Sequence, residues 1–386
     1  MLDYSTVQPV PLGYSVPMKI ARLRWNSDKG WHGDADLPEA NLVLTFGDHD
    51  YFHSDACYAE LRKRYPKAHI AGCSSSGNVA GTTITDCDVV ATAIQLEHGT
   101  VRLVSGKVAP GADLKSMAAG LMKQLQSADL RHVLVLSEGL HANGSEIALG
   151  LGIGGTTVTG GLAGDAMRFG STWVMADAPA QQDQLALIGL YGDVRVKSAY
   201  CAGWTDFGAE RIVTRSAGNV VFEIDNQPAL ALYKRYLGDM AAGLPGSGMR
   251  FPLNILTDAG GPALIRTLLA VDESAQSLTF AGDVPQGSRC KLMRTNLDTL
   301  IESAQTAAQE ASPAATDEGL CLIVSCAGRR VVLGQIADEE LEKVQRQMGP
   351  GIKLAGFYSY GEPARLTSVP ECHLHNQTMS LTTICE

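Results

Sequence analysis

A single pattern of strands and glycines recurs three times along the chain, always in the same internal order. Each copy opens with a short apolar run, passes through a helical segment to a second strand that ends in glycine, and closes with another strand. The opening runs are Asn41–Phe46, His132–Ser137 and Leu320–Ser325. Runs of this length and composition are typical of buried strands. Three copies in one order favour duplication of a β-α-β-β unit over chance.

The second strand of each unit leads into a loop rich in glycine and polar residues. The second strands are Ala68–Gly72, Thr156–Gly160 and Ile352–Gly356, and the closing strands are Asp88–Leu96, Gln184–Tyr191 and Thr378–Ile384. Equivalent loops of a duplicated unit are expected to surround a common space, although each taken alone is also explained as an ordinary glycine turn. The predicted fold class is α/β (α+β), with mixed sheets built from repeated units in two intimately packed halves.

The loops that follow these strands carry the polar side chains of a predicted ligand pocket. Glycines on either side of such loops let the backbone approach a bound molecule closely. The third loop, Phe357–Glu362, is the richest, and His375-Asn376-Gln377-Thr378 follows near the C-terminus. The predicted pocket residues are Ser74, Ser75, Ser76, Asp165, Tyr358, Tyr360, Glu362, His375 and Asn376.

Length and charge limit the class of protein. A chain of 386 residues is expected to form two domains, and we place the boundary between residues 203 and 204. The formal net charge of −10 argues against a nucleic-acid surface, which normally needs a basic patch. There is no apolar run of the roughly 18 residues that a membrane helix requires, and the N-terminus does not resemble a signal peptide. The sequence therefore predicts a cytoplasmic location without nucleic-acid or membrane partners.

Two metal or redox interpretations receive little support from the sequence. The nine cysteines are scattered without a CxxC or CxxCH motif, so zinc ribbons, thioredoxin chemistry and covalent haem attachment find no support. His49, His53 and Cys57 have a spacing that suits a soft metal. The favoured alternative places Cys57 in a buried helical stripe with Leu61 and Tyr65.

Two loops partly resemble motifs of catalysis or dinucleotide binding. The serine cluster Cys73–Gly77 lacks the G-x-S-x-G pattern of a nucleophile elbow, so anion or carboxylate binding is favoured over catalysis there. Gly160–Asp165 lacks the third glycine of the dinucleotide fingerprint, and a Rossmann site is rejected.

Local sequence signals predict several helix boundaries and one segment that covers the predicted pocket. Ser145 is the predicted N-cap of the helix in the second unit. Asp338 is predicted to cap the last helix, and Leu297–Glu310 reads as an amphipathic helix. The Gly- and Pro-rich stretch Ala241–Pro252 is expected to be a flexible link that covers the pocket, and the lead-in before residue 36 is expected to contain one strand at Met18–Arg24.

Six motifs together resemble those of the FIST sensory family, and the resemblance spans nearly the whole chain. They are Ala71–Gly77, Gly160–Asp165, Asp225–Leu230, Phe280–Pro285, Gly356–Glu362 and Leu374–Thr378. The resemblance implies an N-terminal FIST domain followed by its C-terminal partner, which together form a small-ligand sensor. In many relatives this module is attached to an output domain. None is recognised in this sequence, so the expected output is a separate signalling protein.

The stand-alone branch of the family gives the most specific expectation. This chain resembles bacterial nitric-oxide-sensing haemoproteins, which implies non-covalent haem b, nitric oxide as the signal and a separate histidine kinase as partner. An axial ligand should be His, Cys or Tyr, and His375 is the first candidate, although a neutral His375 bonded to the Glu362 loop is favoured. Two alternatives stay open: a sensor of amino acids or similar metabolites without haem, and a hydrolase or lyase that uses the serine loop or the cluster of Tyr358, Tyr360 and Glu362.

Overall fold

A computed structural model describes residues 18–152, 154–256, 264–314, 317–366 and 371–386 of the chain. Its strands are β1 Lys19–Asn26, β2 Gly30–Gly33, β3 Leu42–Asp48, β4 His69–Ser75, β5 Asn78–Ala80, β6 Thr83–Thr85, β7 Val89–Gln95, β8 Gly99–Lys107, β9 Leu130–Ser137, β10 Thr157–Leu162, β11 Val174–Ala176, β12 Gln184–Gly192, β13 Arg195–Cys201, β14 Thr205–Ala217, β15 Val220–Ile224, β16 Gln227–Pro228, β17 Leu253–Leu256, β18 Leu264–Arg266, β19 Leu268–Asp272, β20 Ser277–Phe280, β21 Arg289–Arg294, β22 Gly319–Cys326, β23 Ile352–Ser359, β24 Glu362–Ala364, β25 His373–His375 and β26 Met379–Cys385.

The helices lie between these strands. They are α1 His49–Phe52, α2 Asp55–Arg64, α3 Leu114–Leu125, α4 Gly144–Leu151, α5 Ala229–Leu237, α6 Leu297–Ala311, α7 Ala327–Leu333 and α8 Ala337–Met348. Short 3-10 segments cover Gly238–Gly243, Gly246–Arg250 and Gly334–Ile336.

The three predicted units have the same strand order, and the α/β fold class is confirmed. In the first unit β3 pairs in parallel with β4 and antiparallel with β7. The second unit repeats this with β9, β10 and β12. The third unit repeats it with β22, β23 and β26. The duplication inferred from the sequence is therefore a real repeat of a β-α-β-β unit.

One glycine in each second strand allows the parallel strands to approach closely. A Cβ atom at Gly72 would lie 1.9 Å from the carbonyl oxygen of Thr45, and one at Gly160 would lie 1.9 Å from that of Val135. At Gly356 the equivalent distance, to the carbonyl oxygen of Ile323, is 1.8 Å. No side chain larger than hydrogen fits at such distances, so glycine is required at the same position of every unit.

The sheets interleave strands from distant parts of the chain. One six-stranded sheet has the order β13-β26-β22-β23-β5-β6, so strands of the third unit are bonded on both sides to strands from the first 201 residues. Residues 205–294 supply a separate eight-stranded sheet, β14 to β21, inserted between the second and third units. The boundary at residues 203 and 204 stays a prediction.

The units pack sheet against sheet, with their helices on the outer faces. The central core contains Phe46 of the first unit, Leu134 of the second and Phe357 of the third, and the rings of Phe46 and Phe357 stack with centroids 4.6 Å apart. Helices α3 and α4 cover the outer face of the second unit, and α6 and α8 cover that of the third. Apolar burial on both faces of the sheets explains the continuous hydrophobic runs in the sequence.

Two predicted helix caps are wrong, and each has a local reason. Helix α4 is capped by Asn143, whose side chain accepts hydrogen bonds from the N–H groups of Ser145 and Glu146. Helix α8 begins at Ala337, one residue before Asp338, because a 3-10 turn leads directly into it. The Asp338 carboxylate instead accepts a hydrogen bond of 2.8 Å from the N–H of Ile84, in the first unit.

The other local predictions agree with the structure in part. Helix α6 covers Leu297–Ala311, and β1 covers Lys19–Asn26, close to the strand expected at Met18–Arg24. The lead-in also contains a second strand, β2 Gly30–Gly33, where only one was expected; residues 1–17 lie outside the described part. Cys57 is fully buried in the stripe of α2, as the favoured alternative to a metal site predicted. The stretch 241–252 contains the end of one 3-10 segment, Gly238–Gly243, and the whole of another, Gly246–Arg250. Its Met249 lines the cavity described below, and its flexibility stays a prediction.

Candidate functional site

A cavity of about 270 Å³ lies where the second unit, the third unit and the eight-stranded sheet meet. Its volume is slightly below the roughly 300–1,000 Å³ that is usual for pockets that hold drug-sized ligands. The second unit contributes the loop 139–144 that precedes α4, and the third unit contributes 326–328 and 359–360. The eight-stranded sheet contributes 280–283. Segments far apart in the sequence therefore enclose one space.

The loop before α4 is held rigidly by a buried carboxylate. Glu138 is 1% exposed and accepts hydrogen bonds from the N–H groups of Leu140 (2.9 Å) and His141 (2.8 Å), and from that of Ala142. Because this carboxylate and the Asn143 cap use the free amides of the loop and the helix start, this wall of the cavity is preorganised.

Polar groups of the eight-stranded sheet face the cavity from the opposite side. The carboxylate of Asp283 accepts hydrogen bonds from the side-chain amide of Asn143, at 3.1 and 3.3 Å. Asn219 donates to the carbonyl of Phe280 at 2.8 Å. The hydroxyl of Thr267 is buried in the cavity wall and has no hydrogen-bond partner among the described residues.

The third unit places a buried carboxyl group directly behind the cavity wall. Ser359 lines the cavity and donates a hydrogen bond to Glu362, whose other oxygen accepts one from Thr378 at 2.8 Å. Glu362 is fully buried, and desolvation raises its pKa to about 8. A carboxyl group of this pKa is largely protonated at neutral pH.

A loop with a strained backbone forms the mouth of the cavity. Ala166, Met167 and Phe169 have φ values of 56°, 64° and 52°, a region that side chains other than glycine seldom adopt. Asp165 holds this loop, because its carboxylate accepts hydrogen bonds from the N–H of Phe169 at 3.0 Å and from the hydroxyl of Tyr360. The rings of Phe169 and Tyr360 stack with centroids 5.3 Å apart.

The three predicted loops meet one another through backbone hydrogen bonds. The N–H of Ser76 donates to the carbonyl of Tyr358 at 2.9 Å, and that of Gly164 donates to the carbonyl of Ser74 at 3.0 Å. The hydroxyl of Ser76 accepts a hydrogen bond of 3.1 Å from the N–H of Ala166. Ser76, Asp165 and Tyr360 are thus brought into one cluster at the base of the mouth loop.

Most of the predicted pocket residues lie behind the cavity rather than in its lining. Tyr360 lines it, whereas Ser74, Ser75, Ser76, Asp165, Tyr358, Glu362, His375 and Asn376 are not among the lining residues. The reason is that β4 and β23 continue past their glycines to Ser75 and Ser359. Successive side chains of a strand point to opposite faces, so these residues are divided between the two faces. Their role in ligand binding stays a prediction.

The hydroxyl of each serine in the first loop already forms a hydrogen bond within the protein. Ser74 accepts one from the N–H of Trp173 at 3.0 Å, and Ser75 donates one of 2.5 Å to the side chain of Asn78. Tyr358 lies on the other face of its sheet, where its hydroxyl donates to Glu340 at 3.0 Å. Burial and the neighbouring Glu340 raise the pKa of Tyr358 well above its usual value.

His375 and Asn376 are buried beneath the third loop. The ring of His375 packs against that of Tyr200 in a tilted arrangement, with centroids 4.6 Å apart, and burial lowers the pKa of His375 to about 3, which keeps the ring neutral. The side-chain amide of Asn376 is fully buried without a partner among the described residues. His375 does not line the cavity in this packing. Its ring would have to turn away from Tyr200 before it could bind the iron of a haem in the cavity.

The remaining ligand types available to a haem or metal are no better placed. Cys326 lines the cavity, but burial raises the pKa of its thiol to about 12. Glu138, His141 and Asp183 lie close enough together to hold a metal ion. The oxygens of Glu138, however, already accept several backbone hydrogen bonds, which leaves the carboxylate a structural role.

Sequence reasoning missed several residues of the cavity wall, among them Thr267, Asp283 and Phe169. Asp283 lies within the motif Phe280–Pro285, one of the six motifs that carry the family resemblance, so a signal was present. Thr267 and Phe169 carry no sequence signal of their own, because only the packing of the eight-stranded sheet and the strained loop brings them to the cavity.

Comparison with protein families agrees with this architecture. Residues 41–227 match the FIST N domain, and residues 229–365 match the FIST C domain. The chain belongs to the FIST family, whose domains are generally small-ligand sensors in signalling proteins. A search of curated proteins finds no match. In the part of the chain that the structure describes, every helix is too short or too polar to cross a membrane.

Proposed function

We propose that this protein is a small-ligand sensor of a signal-transduction system and that its ligand binds in the cavity between the two FIST regions. The observation that supports this most directly is the composition of the walls. Loop 139–144 and Phe169 belong to the FIST N region, while Asp283 and Gly328 belong to the FIST C region. A ligand that contacts both regions changes the free energy of their arrangement, which is what a sensor needs.

A route for the signal starts at the wall formed by α7. Ala327 and Gly328 line the cavity, and the next residue, Arg329, is fully buried. Its guanidinium donates to Glu340 of α8 at 2.8 Å and to the carbonyl of Ala202 at 2.7 Å, and it also bonds the carbonyl of Leu300 in α6. A shift of α7 on ligand binding would therefore be felt by both outer helices of the third unit.

Thermal-shift screening of a metabolite collection tests this proposal. We expect at least one small compound to raise the melting temperature of the protein, and Leu269→Trp to abolish that shift. Leu269 lines the cavity and is 37% exposed, so a tryptophan ring at this position can occupy the mouth of the cavity and block the ligand without disturbing the core. Ile212→Trp, at a side chain 49% exposed outside the cavity lining, is the matched control. Shifts that survive Leu269→Trp would refute the site.

Finer proposals rest on the family resemblance alone. They are a cytoplasmic location, a separate histidine kinase as the output protein, and haem b with nitric oxide as the signal. Titration of the protein with hemin tests the cofactor. A Soret band that moves with nitric oxide and is lost in His375→Ala is expected if haem binds through that residue. A titration without a band would dispose of haem and leave a sensor of amino acids or similar metabolites.

A further inference from the structure

The charge of the cavity lining is unbalanced. Among the described lining residues, Asp283 is the one carboxylate, and no lysine or arginine is present. The lining also contains His141, whose side chain is 67% exposed and whose Nδ1 lies 3.9 and 3.5 Å from the carboxylates of Glu138 and Asp183. A positively charged guest is thus matched by the lining, and a negatively charged one is not.

The Asp283 carboxylate forms no salt bridge with a described residue, although the buried guanidinium of Arg266 is near enough to interact with it electrostatically. Within the described residues, no nitrogen of Lys, Arg or His lies within 4.0 Å of it, and its hydrogen bonds come from the neutral amide of Asn143. Arg266 uses its hydrogen bonds on backbone carbonyls: Nε donates to that of Asp283 at 2.9 Å, and Nη1 donates to that of Leu374 at 2.9 Å. A partly buried carboxylate in this state attracts a cation strongly.

Most backbone amides on the second-unit wall of the cavity already have acceptors. The N–H groups of Leu140, His141 and Ala142 are bonded to Glu138, and that of Gly139 is bonded to the hydroxyl of Thr172. Those of Ser145 and Glu146 at the start of α4 are bonded to the Asn143 cap. A carboxylate or phosphate would therefore have to displace an existing acceptor at this wall, unlike at the many helix N-termini that bind anions.

A second observation points to a ligand independently of charge. The hydroxyl of Thr267 is buried, lines the cavity and has no partner among the described residues. Buried polar groups are almost always hydrogen-bonded, so a bound molecule or an ordered water is expected to supply the missing partner.

Aromatic rings complete the wall. Phe169 and Tyr360 form a stacked pair at the mouth, Phe280 lies in the eight-stranded sheet, and all three line the cavity. Ring faces attract cations and also pack against flat apolar groups. Leu162 and Met249 add aliphatic surface.

We propose that the ligand of this cavity is a small organic ammonium ion with an apolar or aromatic body, held by Asp283 and bonded to the hydroxyl of Thr267. This inference rests on the proposed sensor function and assigns the charge of the ligand. Neither a free carboxylate nor a zwitterion with a carboxylate group finds a lysine or arginine side chain among the described residues of this lining.

Isothermal titration calorimetry with matched probes tests the charge. The cationic probes are 2-phenylethylamine, tyramine and tryptamine, the anionic probe is 3-phenylpropionate, and the zwitterionic probe is L-phenylalanine. We expect at least one amine to bind with an affinity at least ten-fold higher than those of the anion and the zwitterion. Loss of a charge-assisted hydrogen bond typically costs a factor of ten or more. Asp283→Asn should therefore weaken amine binding at least ten-fold.

Control variants separate charge from shape. Asp239→Asn changes an exposed aspartate outside the cavity lining and should leave amine binding unchanged. Thr267→Val keeps the side-chain shape but removes the hydroxyl, so it should weaken binding as well. Circular dichroism of each variant shows whether it is folded before the titration is interpreted.

The outcomes distinguish this inference from the sensor function. Tighter binding of 3-phenylpropionate or L-phenylalanine that is lost in Leu269→Trp would overturn the cationic ligand while keeping the sensor. Equal amine affinity in Asp283→Asn and the unsubstituted protein would also overturn it. Failure of all three amines to bind would refute the ammonium assignment, and the sensor function would then be judged by the metabolite screen.

Discussion

Substitution of Gly356 by alanine tests the close approach of strands that shapes every unit. The new Cβ atom would lie 1.8 Å from the carbonyl oxygen of Ile323, on the neighbouring parallel strand. A carbon and a carbonyl oxygen normally approach no closer than about 3.3 Å, so the strands would have to separate by roughly 1.5 Å. Gly356 also has a φ of 152°, a region that favours glycine.

The expected cost follows from these two effects. Strain at such a backbone position costs about 1–3 kcal/mol, and overpacking costs a further 1–3 kcal/mol. At about 2 °C per kcal/mol for a large domain, the melting temperature should fall by about 4–12 °C.

Differential scanning calorimetry of Gly356→Ala measures this directly, and Gly120→Ala is the matched control. Gly120 lies inside α3 with nothing within 4 Å of its Cβ position, so alanine there should raise stability by about 0.5–1 kcal/mol. Equal melting temperatures for Gly356→Ala and the unsubstituted protein would refute the close-approach reasoning. Gly72→Ala and Gly160→Ala should behave like Gly356→Ala, because their Cβ atoms meet the same obstacle.

Three further predictions concern buried charge, pH and thiols. Arg329→Met should destabilise the fold by about 3–5 kcal/mol, because it leaves the Glu340 carboxylate buried without its cation. Denaturant unfolding measures this change in stability. The double variant Arg329→Met with Glu340→Leu should recover much of the lost stability. Desolvation raises the pKa of Glu362 from 4.5 to about 8. Between these two pH values the folded state therefore binds more protons than the unfolded state. The free energy of unfolding should fall as the pH rises from about 4.5 to 8. Glu362→Gln should make the stability profile flatter over this range, and an unchanged slope would contradict the assignment. An aromatic disulfide reagent should modify one thiol per native chain, because Cys87 is exposed and the other eight of the nine cysteines are buried; rapid modification in Cys87→Ser would show that a buried site opens.

The repeated architecture could be predicted from the sequence because hydrophobic runs and glycines carry it directly. Strands such as Leu42–Asp48 and Gly319–Cys326 are buried on both faces and therefore appear as unbroken apolar segments. The glycine at position 356 is fixed by a steric demand that no other residue meets. The apolar segments and the glycine are both local features of the sequence, so both can be identified without knowledge of the tertiary packing.

The lining of the cavity could not be predicted in the same way. The strand β23 runs to Ser359, and side-chain alternation sends Tyr358 to one face and Ser359 to the other. A shift of a few residues in the assumed end of a strand therefore exchanges a pocket residue for a core residue. Thr267 reaches the cavity only through the packing of the inserted sheet, which no local pattern encodes; Asp283 lies in the motif Phe280–Pro285, but that motif does not by itself place its side chain at the cavity.

The sheet that interleaves β26, β22 and β23 with β5 and β13 limits how this chain can be divided. Cutting the polypeptide near residue 204 would expose unpaired edges on both fragments, since β26 would lose β13 and β23 would lose β5. Such edges tend to aggregate when isolated but re-pair when their complement is present. The two FIST regions of this chain are therefore expected to be recovered together as a non-covalent complex when co-expressed, and exchange of one region for that of a distant relative would require compatible edges as well as a compatible cavity.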